Sequence, residues 1–123
     1  MKYYSEITEW GEEALMFLED ESLNFIILFN HGAPEELKEV AVLHSKSEVL
    51  SPLVAGDTLY FGDKQFEITA VGEEAQRTFK ELGHCTLCFN GESEAKMPGY
   101  INVKGNEKIS AADIYVGCQI KII

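Results

Sequence analysis

The chain is short of cations, of cysteines and of long apolar runs, and each shortage removes a class of function. Lys and Arg total 10 against 21 Asp and Glu, a formal charge of -11. Such an acidic domain repels phosphate backbones and anionic membranes, which argues against nucleic-acid binding and for a basic partner surface. Three cysteines is an odd number and gives no disulfide framework. No apolar segment approaches the roughly 18 residues that indicate a membrane span. The opening Met1-Lys2-Tyr3-Tyr4-Ser5-Glu6 lacks a basic region followed by an apolar core, so no signal peptide is expected there. A reducing, cytoplasmic setting fits these absences. GxSxG, HExxH, Walker A and GxGxxG signatures are missing too, as is any paired-carboxylate motif above the acidic background. No cofactor and no metal are expected, and no internal repeat or linker divides the chain.

What is present reads as one domain over residues 1–123, long enough to bury about two-thirds of its unfolded surface. Lys2 to Thr8 reads as a strand with Tyr3, Ser5 and Ile7 on one face. Glu12 to Leu18 reads as a helix, because Ala14, Leu15 and Leu18 recur at one-turn spacing. Leu23 to Phe29 is the most apolar segment and reads as a strand buried on both faces. Ala33 to Lys38 reads as a short helix with Pro34 at its first position. Val40 to His44 is a strand, which Val49-Leu50 is expected to continue before Pro52. Thr58 to Phe61 and Gln65 to Val71 form a hairpin about Gly62-Asp63-Lys64. Glu73 to Leu82 is the clearest helix, with Ala75, Phe79 and Leu82 on one face and Gly83 placed to end it. His84 to Phe89, Gly99 to Val103 and Cys118 to Ile122 supply the remaining strands. Many short strands with two or three short helices make a mainly β fold, a closed or nearly closed small β-barrel.

Cys85-Thr86-Leu87-Cys88 has CxxC spacing. Redox pairs of this kind sit at helix N-termini, where the thiol pKa is lowered. Here the context is a strand, on which positions i and i+3 face opposite ways. Among three histidines, His31 lies in a turn and reads as a solvated loop residue. His84 follows a helix stop and reads as capping a chain end. His44 stands where an apolar strand meets the polar run Ser45-Lys46-Ser47-Glu48. That position suggests a fixed backbone and an exposed ring, the conditions for a nucleophile that meets a docked partner.

Five segments carry a resemblance: Gly32-Ala33-Pro34-Glu35-Glu36-Leu37, the strand ending at His44, Thr69-Ala70-Val71-Gly72, Glu81-Leu82-Gly83-His84, and Pro98-Gly99 before an apolar strand. In this order, over nearly the whole chain, they resemble the glucitol/sorbitol-specific enzyme IIA component of the bacterial sugar phosphotransferase system. The resemblance implies a cytoplasmic phosphocarrier. It would take a phosphoryl group on a histidine from the phosphocarrier protein HPr and pass it to the IIB unit of a sugar permease. The phosphorylated histidine carries over onto His44. Where a family member has a second histidine two positions later, this chain has Lys46, so the site rests on His44. Neutral imidazole is a competent nucleophile near neutral pH. Phosphoryl transfer needs in-line positioning and donors for the equatorial oxygens, for which His84, Ser45, Lys46 and Ser47 are candidates. The acidic body suits a basic HPr surface. The competing reading is a non-catalytic β-barrel module for binding or regulation.

Overall fold

The structure, a computed structural model, describes residues 1–123. Eight strands form it: β1 (Tyr3–Trp10), β2 (Phe25–Asn30), β3 (Ala41–His44), β4 (Thr58–Phe61), β5 (Lys64–Val71), β6 (Cys85–Cys88), β7 (Tyr100–Lys104) and β8 (Gln119–Ile122). They close into a barrel in the order β1-β3-β2-β6-β7-β5-β4-β8, with β8 returning to β1. Two neighbouring pairs, β2 with β3 and β6 with β7, are parallel, and the other pairs are antiparallel. Closure leaves no sheet edge on which another chain could add. The mainly β expectation holds, with three short helices and a 3₁₀ turn at Ala111–Asp113.

Alternation along the strands fills the interior. Tyr3, Ser5 and Ile7 of β1, Ile26 and Leu28 of β2, Val42 of β3 and Ile120 and Ile122 of β8 are all buried. Apart from Ser5, these side chains belong to the main core cluster. The outer face of β2 and β3 is covered as well. Phe29, Ala33, Ala41 and Leu43 make a second buried cluster, against which Ile27 and Leu37 pack. This explains why β2 and β3 are apolar at successive positions rather than alternate ones.

Three helices decorate the barrel: α1 (Met16–Glu19), α2 (Glu35–Lys38) and α3 (Glu73–Leu82). The third has the bounds its sequence suggested, because its apolar spacing and both termini agree. Gly83 ends it at φ +63, with its N–H donating to Phe79 O and the N–H of His84 donating to Thr78 O. The bond from Gly83 back to Phe79 makes this an αL closure, which needs a left-handed residue. Elsewhere the boundaries move. Residues 12–15 are turns rather than helix, although Ala14 and Leu18 are buried as their spacing implied. Pro34 is extended, at φ -56 and ψ 149, and precedes α2 instead of opening it. The hairpin loop is Gly62-Asp63 alone, since Lys64 already pairs with Phe61. His84 and Phe89 flank β6 rather than belonging to it.

Val49-Leu50 does not extend the sheet. Residues 45–57 run without strand structure, held to the barrel by specific anchors. The N–H of Leu50 donates to Lys2 O. The Lys2 ammonium donates to Pro52 O and pairs with Asp57 at 2.8 Å, and Asp57 in turn accepts from the N–H of Val54. Pro52 lacks the donor a ladder would need, so side-chain bonds do what a strand would otherwise do.

Candidate functional site

His44 is the last residue of β3, paired with Ile7 on one side and with Asn30 on the other. The sequence reading gave it an exposed ring; the structure corrects this. His44 is 0 % exposed. The cause is parity, since two positions after the inward-facing Val42 a side chain again points into the barrel. The chain does turn to polar residues after His44, but the ring lies under α3 and β1.

Three polar groups hold the ring. Nε2 is 2.8 Å from the carbonyl oxygen of Gly83. Nδ1 is 2.9 Å from Ser5 Oγ and 3.0 Å from the Tyr3 hydroxyl. Apolar surfaces supply the rest: the Phe79 ring lies nearly parallel at 6.0 Å between centroids, and the Tyr3 ring meets the imidazole edge-on at 6.1 Å. Asn30 stands beside it, close enough to Gly83 that a β-carbon there would collide with its side chain. Burial pushes the imidazole pKa below its ordinary value, opposed in part by the bond to the Gly83 carbonyl. Burial likewise pushes the Tyr3 phenol up to about 12, offset in part by its hydrogen bond with Ser5. The site is therefore a neutral imidazole among neutral hydroxyls.

The other candidates are not gathered around this ring. Ser45 accepts from the backbone N–H of Glu6, and its own N–H donates to Glu6 O, so it ties β1 to the end of β3. Lys46 is exposed and Ser47 half-buried, the latter lining a surface cleft with Met1, Tyr3, Tyr4, Glu48 and Leu50. None of the three hydrogen-bonds His44. His84 is half-buried, its ring tilted against Phe29 at 4.9 Å, and burial lowers its pKa. It reaches His44 through its neighbour Gly83 rather than through its own side chain. His31 is exposed, its ring 3.1 Å from Thr8 Oγ1, while its backbone N–H donates to His44 O.

Sequence reasoning missed Tyr3, Ser5 and Gly83 as members of the site. Tyr3 and Ser5 were correctly placed on one face of β1, and a signal was present there. Two hydroxyl residues occupy positions whose parity sends them into an apolar barrel, where polar atoms need a partner. Gly83 was legible as a helix stop. That its carbonyl reaches a ring 39 positions away in the chain depends on barrel closure, which no local pattern reports.

Cys85, Cys88 and Cys118 are free and buried. Burial raises all three thiols, Cys88 to about 11 and Cys85 further. Raised thiols are poor nucleophiles, the reverse of a redox pair. No three His, Cys, Asp or Glu side chains are grouped to hold a metal. No helix is long and apolar enough to cross a membrane.

Known proteins share this arrangement of chain. A solved structure, the PTS system IIA component from Enterococcus faecalis V583, superposes with a TM-score of 0.80 at 26% identity, over 98% of this chain and 99% of that one. The PTS system glucitol/sorbitol-specific EIIA component of Escherichia coli K12 is 38% identical over 103 residues, covering 84% of this chain and 81% of that protein. The same component from Shigella flexneri matches to the same extent. Residues 2–121 fit the sequence family described as the PTS system glucitol/sorbitol-specific IIA component. A match over nearly the full barrel, together with that identity, makes this chain a member of the glucitol/sorbitol-specific IIA family of the phosphotransferase system.

Proposed function

We propose that His44 is the residue through which this chain carries phosphate, accepting a phosphoryl group from phospho-HPr and passing it to the IIB unit of a glucitol/sorbitol permease in the cytoplasm. One observation carries the reading: an imidazole kept neutral by burial and oriented through both ring nitrogens at the end of β3. A neutral ring has a nucleophilic nitrogen, and a ring fixed at both ends offers it in one direction. Membership of the IIA family supports the carrier role. The formal charge of -11 supports a basic partner, since opposite fields speed encounter.

Complete burial of the ring favours a second reading, a barrel that keeps the architecture without the transfer role. The two part on phosphate. Incubation with phosphoenolpyruvate, the general energy-coupling enzyme and HPr should give an acid-labile, alkali-stable phosphate that mass mapping puts on His44. His44→Gln should accept none, because an amide is not a nucleophile, and His31→Ala should behave as the unmodified protein. Phosphate on His31 or His84 would overturn the assignment, and none on any histidine would establish the non-catalytic module.

A further inference from the structure

Asn30 is the register partner of His44 across the parallel pair of β2 and β3. It stands two positions after Leu28, a member of the main core, so by alternation its side chain turns toward the barrel interior, as that of His44 does. The two polar side chains are neighbours at one end of the barrel, beside Gly83. A β-carbon on Gly83 would strike Asn30 Oδ1 and come within 3.0 Å of His44 Nε2, so a single carbon would span the gap between amide and ring. Oδ1 is the atom turned toward Gly83, which leaves Nδ2 facing away from it with both N–H bonds unused. No group of the protein hydrogen-bonds this amide, and it is not sealed from solvent.

Among the residues around the ring, Tyr3, Ser5, Phe79 and Gly83 are buried, and Asn30 is half-buried. A group that reaches His44 from outside therefore meets Asn30 first. The rest of the site has few donors to offer it. The Ser5 and Tyr3 hydroxyls are already held at Nδ1, and Gly83 presents a carbonyl, which only accepts. No charged side chain of this chain hydrogen-bonds the ring. A phosphoryl group brings negative oxygens that need donors, and the amide of Asn30 is the one left free beside the imidazole.

Building on the reading of His44 as the phosphoryl carrier, we propose that Asn30 is a further catalytic residue, whose Nδ2–H groups donate to the oxygens of the phosphoryl group carried on His44. In the transfer, a ring nitrogen of His44 forms the new N–P bond as the P–N bond of the donor's phosphohistidine breaks. The electron pair of the broken bond stays on the donor ring. Asn30 gives up no proton and takes none; it supplies hydrogen bonds alone. Because the amide is unpaired before the phosphoryl group arrives, nothing has to be broken for it to donate, and the bond it makes favours the phosphorylated state.

The test uses the full chain with ¹⁵N-labelled asparagine, phosphorylated at alkaline pH by phosphoenolpyruvate, the general energy-coupling enzyme and HPr. The side-chain amide signal of Asn30, identified by its loss in Asn30→Ala, should move on phosphorylation. Asn30→Ala should remain folded, since no hydrogen bond is lost with the amide. Its equilibrium with phospho-HPr should shift toward phospho-HPr by about ten- to a hundredfold, the worth of one hydrogen bond to a charged group. Asn30→Asp keeps the shape but offers a carboxylate that cannot donate, so it should accept phosphate less well than Asn30→Ala. If Asn30 only filled space, Asn30→Asp would match the unmodified chain. That result would overturn the inference and leave the carrier reading intact, as would an unmoved amide signal or an unshifted equilibrium in Asn30→Ala. Phosphate absent from His44 in the unmodified chain would overturn that reading, and the inference with it.

Discussion

The Gly83 carbonyl and the Nε2 of His44 meet at 2.8 Å, so the residue that stops α3 also fixes the imidazole at the end of β3. Both demands fall on a backbone at φ +63, and a β-carbon added there would strike the Asn30 side chain and come within 3.0 Å of Nε2. Gly83→Ala should therefore cost stability on two counts, left-handed strain of about 1–3 kcal/mol and the collision in addition. Urea unfolding measures the loss, and phosphate incorporation should fall with it. A Gly83→Ala protein as stable and as active as the unmodified chain would show that the loop shifts without moving the ring.

His44→Ala should destabilise the fold by about 2–3 kcal/mol, since it leaves a cavity lined by the Tyr3 and Ser5 hydroxyls and an unpaired Gly83 carbonyl. An exposed ring would have cost almost nothing to remove. A change within about 0.5 kcal/mol, the range of ordinary surface substitutions, would contradict the buried geometry.

Acidification should weaken the fold through this same residue. In the unfolded chain the imidazole protonates near its ordinary value of 6.5, whereas in the barrel its pKa is lower. Between the two values the unfolded state binds more protons, so stability is complete above pH 6.5 and declines as pH falls toward the folded pKa. The slope approaches about 1.4 kcal/mol per pH unit for one such group. His84, also lowered by burial, adds to the slope in the same direction. Urea midpoints from pH 7.5 down to about 5, for the unmodified chain and for His84→Ala, should show a decline that His84→Ala only partly removes.

The thiols act on the alkaline side. Cys85 and Cys88 are raised by burial, so above the ordinary thiol value of 9.0 the unfolded chain loses protons that the folded one keeps. Stability should fall as pH rises past that value. Replacing Cys85, Cys88 and Cys118 together by Ala should flatten this limb and lower stability by about 1 kcal/mol or more for each site. Phosphoryl acceptance should be unchanged, because none of the three touches His44. Loss of acceptance with the fold intact would give the cysteines a part in the chemistry.

The barrel was legible in the sequence because its strands advertise themselves locally, by apolar runs ended with Gly, Asn or Pro. The helix from Glu73 to Leu82 was legible for the same reason, with spacing and stop signal in agreement. His44 was picked out by its place at the end of a strand, which is also where the structure has it. Its environment was not legible. Whether a strand-end ring faces solvent or core depends on parity relative to the barrel axis and on what covers that end of the barrel. Here Tyr3, Phe79 and Gly83 cover it, from two elements far from His44 in the chain. The polar neighbours Ser45, Lys46 and Ser47 drew attention because they are adjacent in sequence, but alternation turns Ser45 away, and the next two follow an irregular path.

Barrel closure between β1 and β8, with Tyr3 opposite Ile122, sets the order in which the protein can mature. Hairpins such as β4–β5 form from neighbouring residues and need wait for nothing. The seam joining the outermost strands closes the longest loop in the molecule, and such distant pairings place small β domains among the slow folders, in the range of about milliseconds to seconds. Tyr3 and Ser5 lie on that seam strand. A chain whose hairpins are complete but in which β1 has joined neither β8 nor β3 has His44 in place with no hydroxyls at Nδ1. In a refolding experiment, the environment of that ring should be among the last signals to reach its native value.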